Sequence, residues 1–271
     1  MKKLATKKES LRHDPMEVAS EDRAVALARS AEVKKLISDF LQARDTIPTG
    51  FQLAREYEKA KKRILKVLGG TEKDWQNYKW HLKNKIEEVQ TLSKIISLSQ
   101  KEKREIAKTE ELYRWSISPY YASLMDPEDR ACPVRLQAVP SIRERLDTSE
   151  IKDPMIIKYN SPAPLISRLY PDRLIINVTN MCSMFCRHCL RRKDIGHKDL
   201  IYSRSQLRQA LDYIRKNEEI RDVLLTGGDA LALSDDQLDW ILTELDKIPH
   251  VEIKRLGSRM PCVLPQRITP R

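Results

Sequence analysis

From Leu174 to Leu256 the chain alternates short apolar runs with amphipathic segments, a pattern that few architectures satisfy. Leu174-Ile175-Ile176-Asn177-Val178 and Val223-Leu224-Leu225 read as buried strands, and Val251–Leu256 as a third. Between them, Ser203 with Gln206 and Ser234 with Gln237 have the spacing of the reciprocal caps that open helices. Leu207, Ala210, Leu211 and Ile214 then form one apolar stripe, and Leu238, Ile241, Leu242 and Leu245 another. Strand–helix–strand–helix–strand at this spacing predicts an α/β fold with a parallel sheet. Parallel sheets place chemistry at the carboxyl ends of their strands, so the residues just past Val178, Leu225 and Leu256 matter most.

The preceding half has a different grammar. Residues 1–20 are polar. From Glu21 to Leu68 the apolar residues Val25, Leu27, Ala28, Val33, Leu36, Ile37 and Leu41 recur at helical steps, with a break at Thr46–Gly50 and a stop at Gly69-Gly70. A further helical stretch is expected over 72–115, with Trp75, Trp80, Leu82, Ile86, Val89 and Leu92 on its core face. Eight of the 14 prolines then fall between Pro119 and Pro171, where a long helix cannot persist and an ordered wrapping segment is expected. Three regions result: a basic helical extension over 1–70, a helical and proline-rich wrap over 71–165, and a core over 166–271.

Net charge is +11, which raises nucleic-acid binding as a possibility. The first 70 residues hold 16 Lys/Arg against 10 Asp/Glu, and the rest of the excess is dispersed among acids. That distribution reads as a solvated basic surface, and nucleic acid is not the expected partner. Met1–Ser10 is basic with no apolar stretch behind it, unlike a secretory signal. No apolar run approaches the ~18 residues needed to span a membrane. With five cysteines, three of them clustered, a cytoplasmic chain without a disulfide framework is expected.

The cluster is Cys182-Ser183-Met184-Phe185-Cys186-Arg187-His188-Cys189, directly after the first strand. Thiolates are soft ligands suited to iron–sulfur clusters or zinc. A [4Fe–4S] cube normally takes four cysteines. Three on one short loop leave an iron open to chelate a small molecule. The amino and carboxylate groups of S-adenosylmethionine (SAM) would do so, setting its sulfonium beside the cluster for one-electron cleavage to a carbon radical. A zinc site built from the cysteines and His188 is the alternative, although adjacent Cys189 and His188 strain joint ligation. An electron-carrying ferredoxin site fits less well, because its cysteine spacing is C-x2-C-x2-C. Cys132 and Cys262 are expected to be buried structural thiols.

Gly227-Gly228 follows the second strand and removes side chains where the backbone must approach something closely. The methionyl end of SAM is one occupant, with Asp229 as a further contact; a plain tight turn is the other reading. Ser258 and Arg259 end the third strand, where a hydroxyl could reach a ribose and a guanidinium a carboxylate. Arg187, Arg191, Arg192 and Lys193 form a basic rim suited to an anion, or an ordinary solvated loop.

Three stretches closely resemble the lysine 2,3-aminomutase family of radical SAM enzymes: Tyr170–Arg192, Ile220–Leu231 and Ile248–Pro270. Similarity continues upstream through Asp74–Ile86, Ile117–Pro127 and Ser161–Pro164. The resemblance implies a helical N-terminal region followed by the first half of a radical SAM partial TIM barrel, continuing beyond Arg271. It implies that Cys182, Cys186 and Cys189 hold a [4Fe–4S] cluster. Gly227, Gly228, Asp229, Ser258 and Arg259 would contact SAM, and Arg191 would grip the substrate's α-carboxylate. The family moves an α-amino group to the β-carbon, using a deoxyadenosyl radical with the substrate carried on pyridoxal 5′-phosphate (PLP). The PLP lysine lies in the family's C-terminal half, and Arg168 or Arg173 is a candidate phosphate contact here. The extension over 21–70 and Ser167-Arg168-Leu169 look more like glutamate than lysine 2,3-aminomutases. A small amino-acid substrate, a flavodoxin- or ferredoxin-type electron donor and a homo-oligomer of the complete protein are implied as partners. The alternatives are a radical SAM enzyme acting on protein or RNA, and a zinc-dependent nucleic-acid-binding module.

Overall fold

In the computed structural model, which describes residues 20–147, 153, 154 and 156–270, the expected alternation becomes a four-stranded sheet. Its strands are β1 (Ile166–Ser167), β2 (Arg173–Thr179), β3 (Asp222–Gly227) and β4 (Ile253–Leu256), in that spatial order. β2, β3 and β4 run parallel, with Leu174 opposite Val223, Ile176 opposite Leu225, and Leu225 opposite Leu256. The two-residue β1 pairs antiparallel to β2, an addition too short to leave a periodic trace in the sequence. The fold is mixed α/β, as expected.

Both helices of this region start where their caps predict. Helix Arg204–Arg215 opens on Ser203, whose hydroxyl accepts the Gln206 N–H at 3.3 Å while Gln206 Oε1 accepts the Ser203 N–H at 2.9 Å. Helix Asp235–Asp246 repeats this with Ser234 and Gln237. Their apolar stripes cover one sheet face, joining Leu174, Ile176, Val178, Val223 and Leu225 in a single core with Leu207, Leu211, Ile214, Ile241 and Leu245. Each such side chain withdrawn from water contributes roughly 1.5–3 kcal/mol. Leu242, assigned to the inward stripe, is only partly buried at the margin of this core. The opposite face, with Ile175, Asn177 and Leu224, is only half-buried.

The chain divides into two units, Met1–Ala54 and Arg55–Arg271. In the first, helices Ser20–Leu36 and Ser38–Ala43 and a 3-10 turn at Arg44–Thr46 precede the expected break. Its apolar positions Val25, Leu36 and Leu41 are exposed. The second opens with helix Ala54–Leu68, which buries Ala60, Ile64 and Leu65.

The helical stretch expected over 72–115 is broken into four short helices: Glu72–Trp75, Tyr78–Lys83, Val89–Leu92 and Gln100–Glu110. Polar side chains cut it. Thr71, Asn77 and Ser99 each accept a backbone N–H and restart the chain in a new direction. Trp75, Ile86, Leu92, Ile106 and Trp115 then converge as one core with Tyr121, Met184 and Val263. Ile86 and Ile117 exchange backbone hydrogen bonds at 2.8 and 3.0 Å, tying the wrap to itself. No helix among the described residues is long and apolar enough to cross a membrane.

Candidate active site

The cysteine loop leaves the carboxyl end of β2 through two anchoring residues. Buried Asn180 donates from Nδ2 to the carbonyls of Ile195 and Lys198 and accepts the Leu200 N–H at 2.6 Å. The Thr179 hydroxyl donates to Leu200 O at 2.6 Å and accepts the Met181 N–H at 3.0 Å. Residues 180–200 thus close on themselves as a loop rooted at the strand end.

The wrap holds the loop's other flank. Phe185 N–H donates to Ser116 O at 3.0 Å, and Arg187 N–H to Gln137 O at 2.9 Å. Met184 and Phe185 are buried. Arg114 and Lys85 lie over the Phe185 ring at 4.8 and 5.5 Å, and both pair with Asp199. Buried Arg187 forks onto Glu144, with Nε 3.0 Å from Oε1 and Nη2 2.6 Å from Oε2. Arg192 joins the same carboxylate and stacks on Tyr113.

Cys182, Cys186 and Cys189 are all half-buried and share one electrostatic neighbourhood. Burial pushes the Cys182 thiol well up, and Asp229, Cys186 and Cys189 push it further while Arg191 opposes them. Burial also raises Cys186, against the pull of Arg259. For Cys182 and Cys186 burial thus favours the protonated thiol, and a metal bound there must displace those protons. Among the described residues, no three His, Cys, Asp or Glu side chains are already gathered at metal-binding geometry. The donor set nevertheless fits an iron–sulfur cluster: three soft sulfurs share one loop, with arginines beside them to balance thiolate charge. His188 is exposed next to Cys189, and burial, Arg259 and Arg192 lower its pKa.

The glycine pair has a definite reason. Gly227 has φ +110°, and a Cβ there would lie 2.4 Å from Thr179 O; one on Gly228 would lie 2.2 Å from Met181 O. What the turn approaches so closely is the root of the cysteine loop. Gly228 and Asp229 donate their N–H groups to Thr179 O and Met181 O, which zips the end of β3 to the start of the loop.

Asp229 is buried and uses both oxygens, accepting Leu231 N–H at 3.0 Å and Arg259 N–H at 2.7 Å. Ser258 Oγ accepts the Met260 N–H at 3.0 Å. Arg259 donates to Cys186 Sγ and, at 2.9 Å, to Gln137 Oε1. Arg191 donates from Nη2 to Thr226 Oγ1 at 2.9 Å, and its buried Nη1 has no partner. The ends of β3 and β4 thus bring Asp229 and Arg259 to the cysteine loop, which itself carries Arg191.

Two expectations are corrected. Cys132 is buried as foreseen, but Cys262 is exposed, because it falls on the outer side of the short Met260–Val263 helix. Arg168 donates to Tyr213 Oη, Pro171 O and Glu219 at the entry to β2. Arg173 is the first residue of that strand and stacks on Tyr170 at 4.5 Å. Both stand at the opposite end of β2 from the cysteines, so neither is placed to hold a group at the site. Sequence reasoning missed the roles of Gln137 and Glu144, which belong to no motif, and of Asn180 and Thr226, which lie unremarked inside the stretches that carry the resemblance.

No family model matches the chain. A glutamate 2,3-aminomutase of Clostridioides difficile strain 630 is 53% identical over 250 residues, covering 92% of this chain and 59% of that protein. The L-lysine 2,3-aminomutase of Clostridium subterminale is 46% identical over 198 residues, 73% of this chain and 48% of that protein. That of Bacillus subtilis strain 168 is 42% identical over 73% of this chain. The chain belongs to the lysine 2,3-aminomutase family. It spans 59% and 48% of the length of the first two relatives. In this aminomutase-family chain, the matched length includes the cysteine loop's wrap as well as its sheet.

Proposed function

We propose that this chain is part of a radical SAM, PLP-dependent amino-acid 2,3-aminomutase, an isomerase that moves an α-amino group to the β-carbon. The observation that carries the reading is that one loop, where β2 and β3 end, holds Cys182, Cys186 and Cys189 beside Arg191 and Arg259. In this reading β2, β3 and β4 open a partial barrel whose half-buried face turns toward the substrate.

Cys182, Cys186 and Cys189 would hold a [4Fe–4S] cluster, which with SAM supplies one-electron cleavage to a carbon radical. Asp229 fixes the β3 and β4 loops to each other, and Gly227, Gly228 and Ser258 on those loops would contact SAM. Arg191 has a buried N–H free to donate, which suits a carboxylate of an amino acid. Thr226 orients that guanidinium. PLP enters by kinship, and no residue described here is assigned to it.

Glutamate is favoured over lysine as substrate. The match to the glutamate 2,3-aminomutase runs through 92% of this chain, whereas the matches to the Clostridium and Bacillus lysine enzymes stop at 73%. A flavodoxin- or ferredoxin-type donor would supply the electron, the working protein would be a cytoplasmic homo-oligomer, and nucleic acid is not a partner in this reading. Anaerobic reconstitution of this chain with iron and sulfide tests it, followed by incubation of the complete protein, which carries the C-terminal half that this chain needs for activity, with SAM, PLP, dithionite and glutamate or lysine. The expected result is a brown protein that forms the β-amino acid from glutamate. A colourless protein that takes up zinc instead would overturn the reading.

A further inference from the structure

The wrap contributes a residue that no cysteine motif would reveal. Gln137 lies just past the Pro133–Leu136 helix, and its side chain is held at both ends. Nε2 donates to Pro133 O at 3.3 Å, which aims Oε1 outward to accept Arg259 Nη2 at 2.9 Å. The Gln137 backbone carbonyl accepts the Arg187 N–H at 2.9 Å, so the same residue grips the cysteine loop one position past Cys186. Arg259 meets the loop from the other direction. Its N–H is fixed by Asp229, and its Nη1 donates to Cys186 Sγ.

A guanidinium has five N–H donors in a rigid plane, so fixing one edge fixes the direction of the other. Gln137 takes the Nη2 edge and leaves Nη1 directed at sulfur. Without that acceptor, Arg259 can rotate toward water or toward the Tyr121 hydroxyl, with which it also interacts. N–H donors and positive charge near cluster sulfurs raise the reduction potential of an iron–sulfur centre.

We infer that Gln137 is a positioning residue for the cluster: it aims Arg259 at the Cys186 sulfur and thereby raises the cluster's reduction potential. This rests on the cluster assignment above. The guanidinium therefore acts on the Cys186 ligand, whatever contact it also makes with SAM.

The test is a potentiometric titration of the reconstituted protein, followed by electron paramagnetic resonance. Gln137→Leu removes the acceptor at nearly constant volume, and Gln137→Ala removes it without bulk. Both are expected to bind iron as the parent does and to shift the midpoint to more negative potential, with an altered resonance line shape. In an Arg259→Met background the same Gln137 substitutions should have no further effect. An unchanged midpoint and line shape in both variants, with normal iron content, overturns the inference and leaves the cluster reading intact. An equal shift in the Arg259→Met background also overturns it, because Gln137 would then act by another route. Failure of the parent protein itself to bind iron overturns both.

Discussion

The Glu144 carboxylate forks across the Arg187 guanidinium, with both side chains nearly buried at 12% and 7% exposure. One partner comes from the wrap and the other from between two cysteines. Truncating the acid would strand a buried cation. Glu144→Ala is therefore expected to cost about 3–5 kcal/mol, while Glu144→Gln retains an acceptor and costs less. Urea unfolding of the parent and both variants measures this, and equal stability of all three would show that the fork contributes nothing.

Substitution of the glycine turn should reach the cysteines without touching any ligand. A Gly228→Ala methyl would lie 2.2 Å from Met181 O, so the backbone before Cys182 must move. A cost of about 1–3 kcal/mol is expected from the forced shift. Iron content after reconstitution should fall as well. Full iron loading with parental stability would show that the loop tolerates the displacement.

Among the five cysteines, only three should matter for iron. Cys182→Ala, Cys186→Ala and Cys189→Ala should each abolish most bound iron and sulfide. Cys132→Ser and Cys262→Ser should keep it, since the first is buried against the Asp126 N–H and the second is exposed. Colorimetric iron and sulfide assays decide the matter.

Acid should weaken the wrap through His81. Its ring is fully buried, edge-on to Trp75 and Trp80 at 4.9 and 5.2 Å, with Nε2 donating to Trp75 O at 2.7 Å and Nδ1 unpartnered. Burial lowers its pKa below the ordinary 6.5. The folded chain then holds this histidine neutral where the unfolded chain binds a proton. Its stabilising effect is complete above about pH 6.5 and is lost as pH falls below that value. Urea midpoints followed by tryptophan fluorescence from pH 7.5 to 5 should drop, and the drop should be smaller in His81→Gln.

The sheet and its helices were legible because two periods, the capping serines and the strand-end glycines all agree between Leu174 and Leu256. The wrap was not. There Trp75, Ile86 and Leu92 satisfy a helical repeat, yet Asn77 and Ser99 outbid it with local hydrogen bonds that only the folded context selects. The site shows the same split. Cysteine spacing announces itself, whereas Gln137 and Glu144 act across sequence gaps and look like any polar surface residues. The glycine pair marks a close approach, and its partner in the fold is the backbone of Thr179 and Met181, which spacing alone does not specify.

The zipping of Gly228 and Asp229 onto Thr179 and Met181 bears on engineering. Transplanting the residues from Cys182 to Cys189 onto a foreign strand would carry the sulfurs without the neighbour that seats them. A portable version of this ligand loop needs the second strand's turn as its socket.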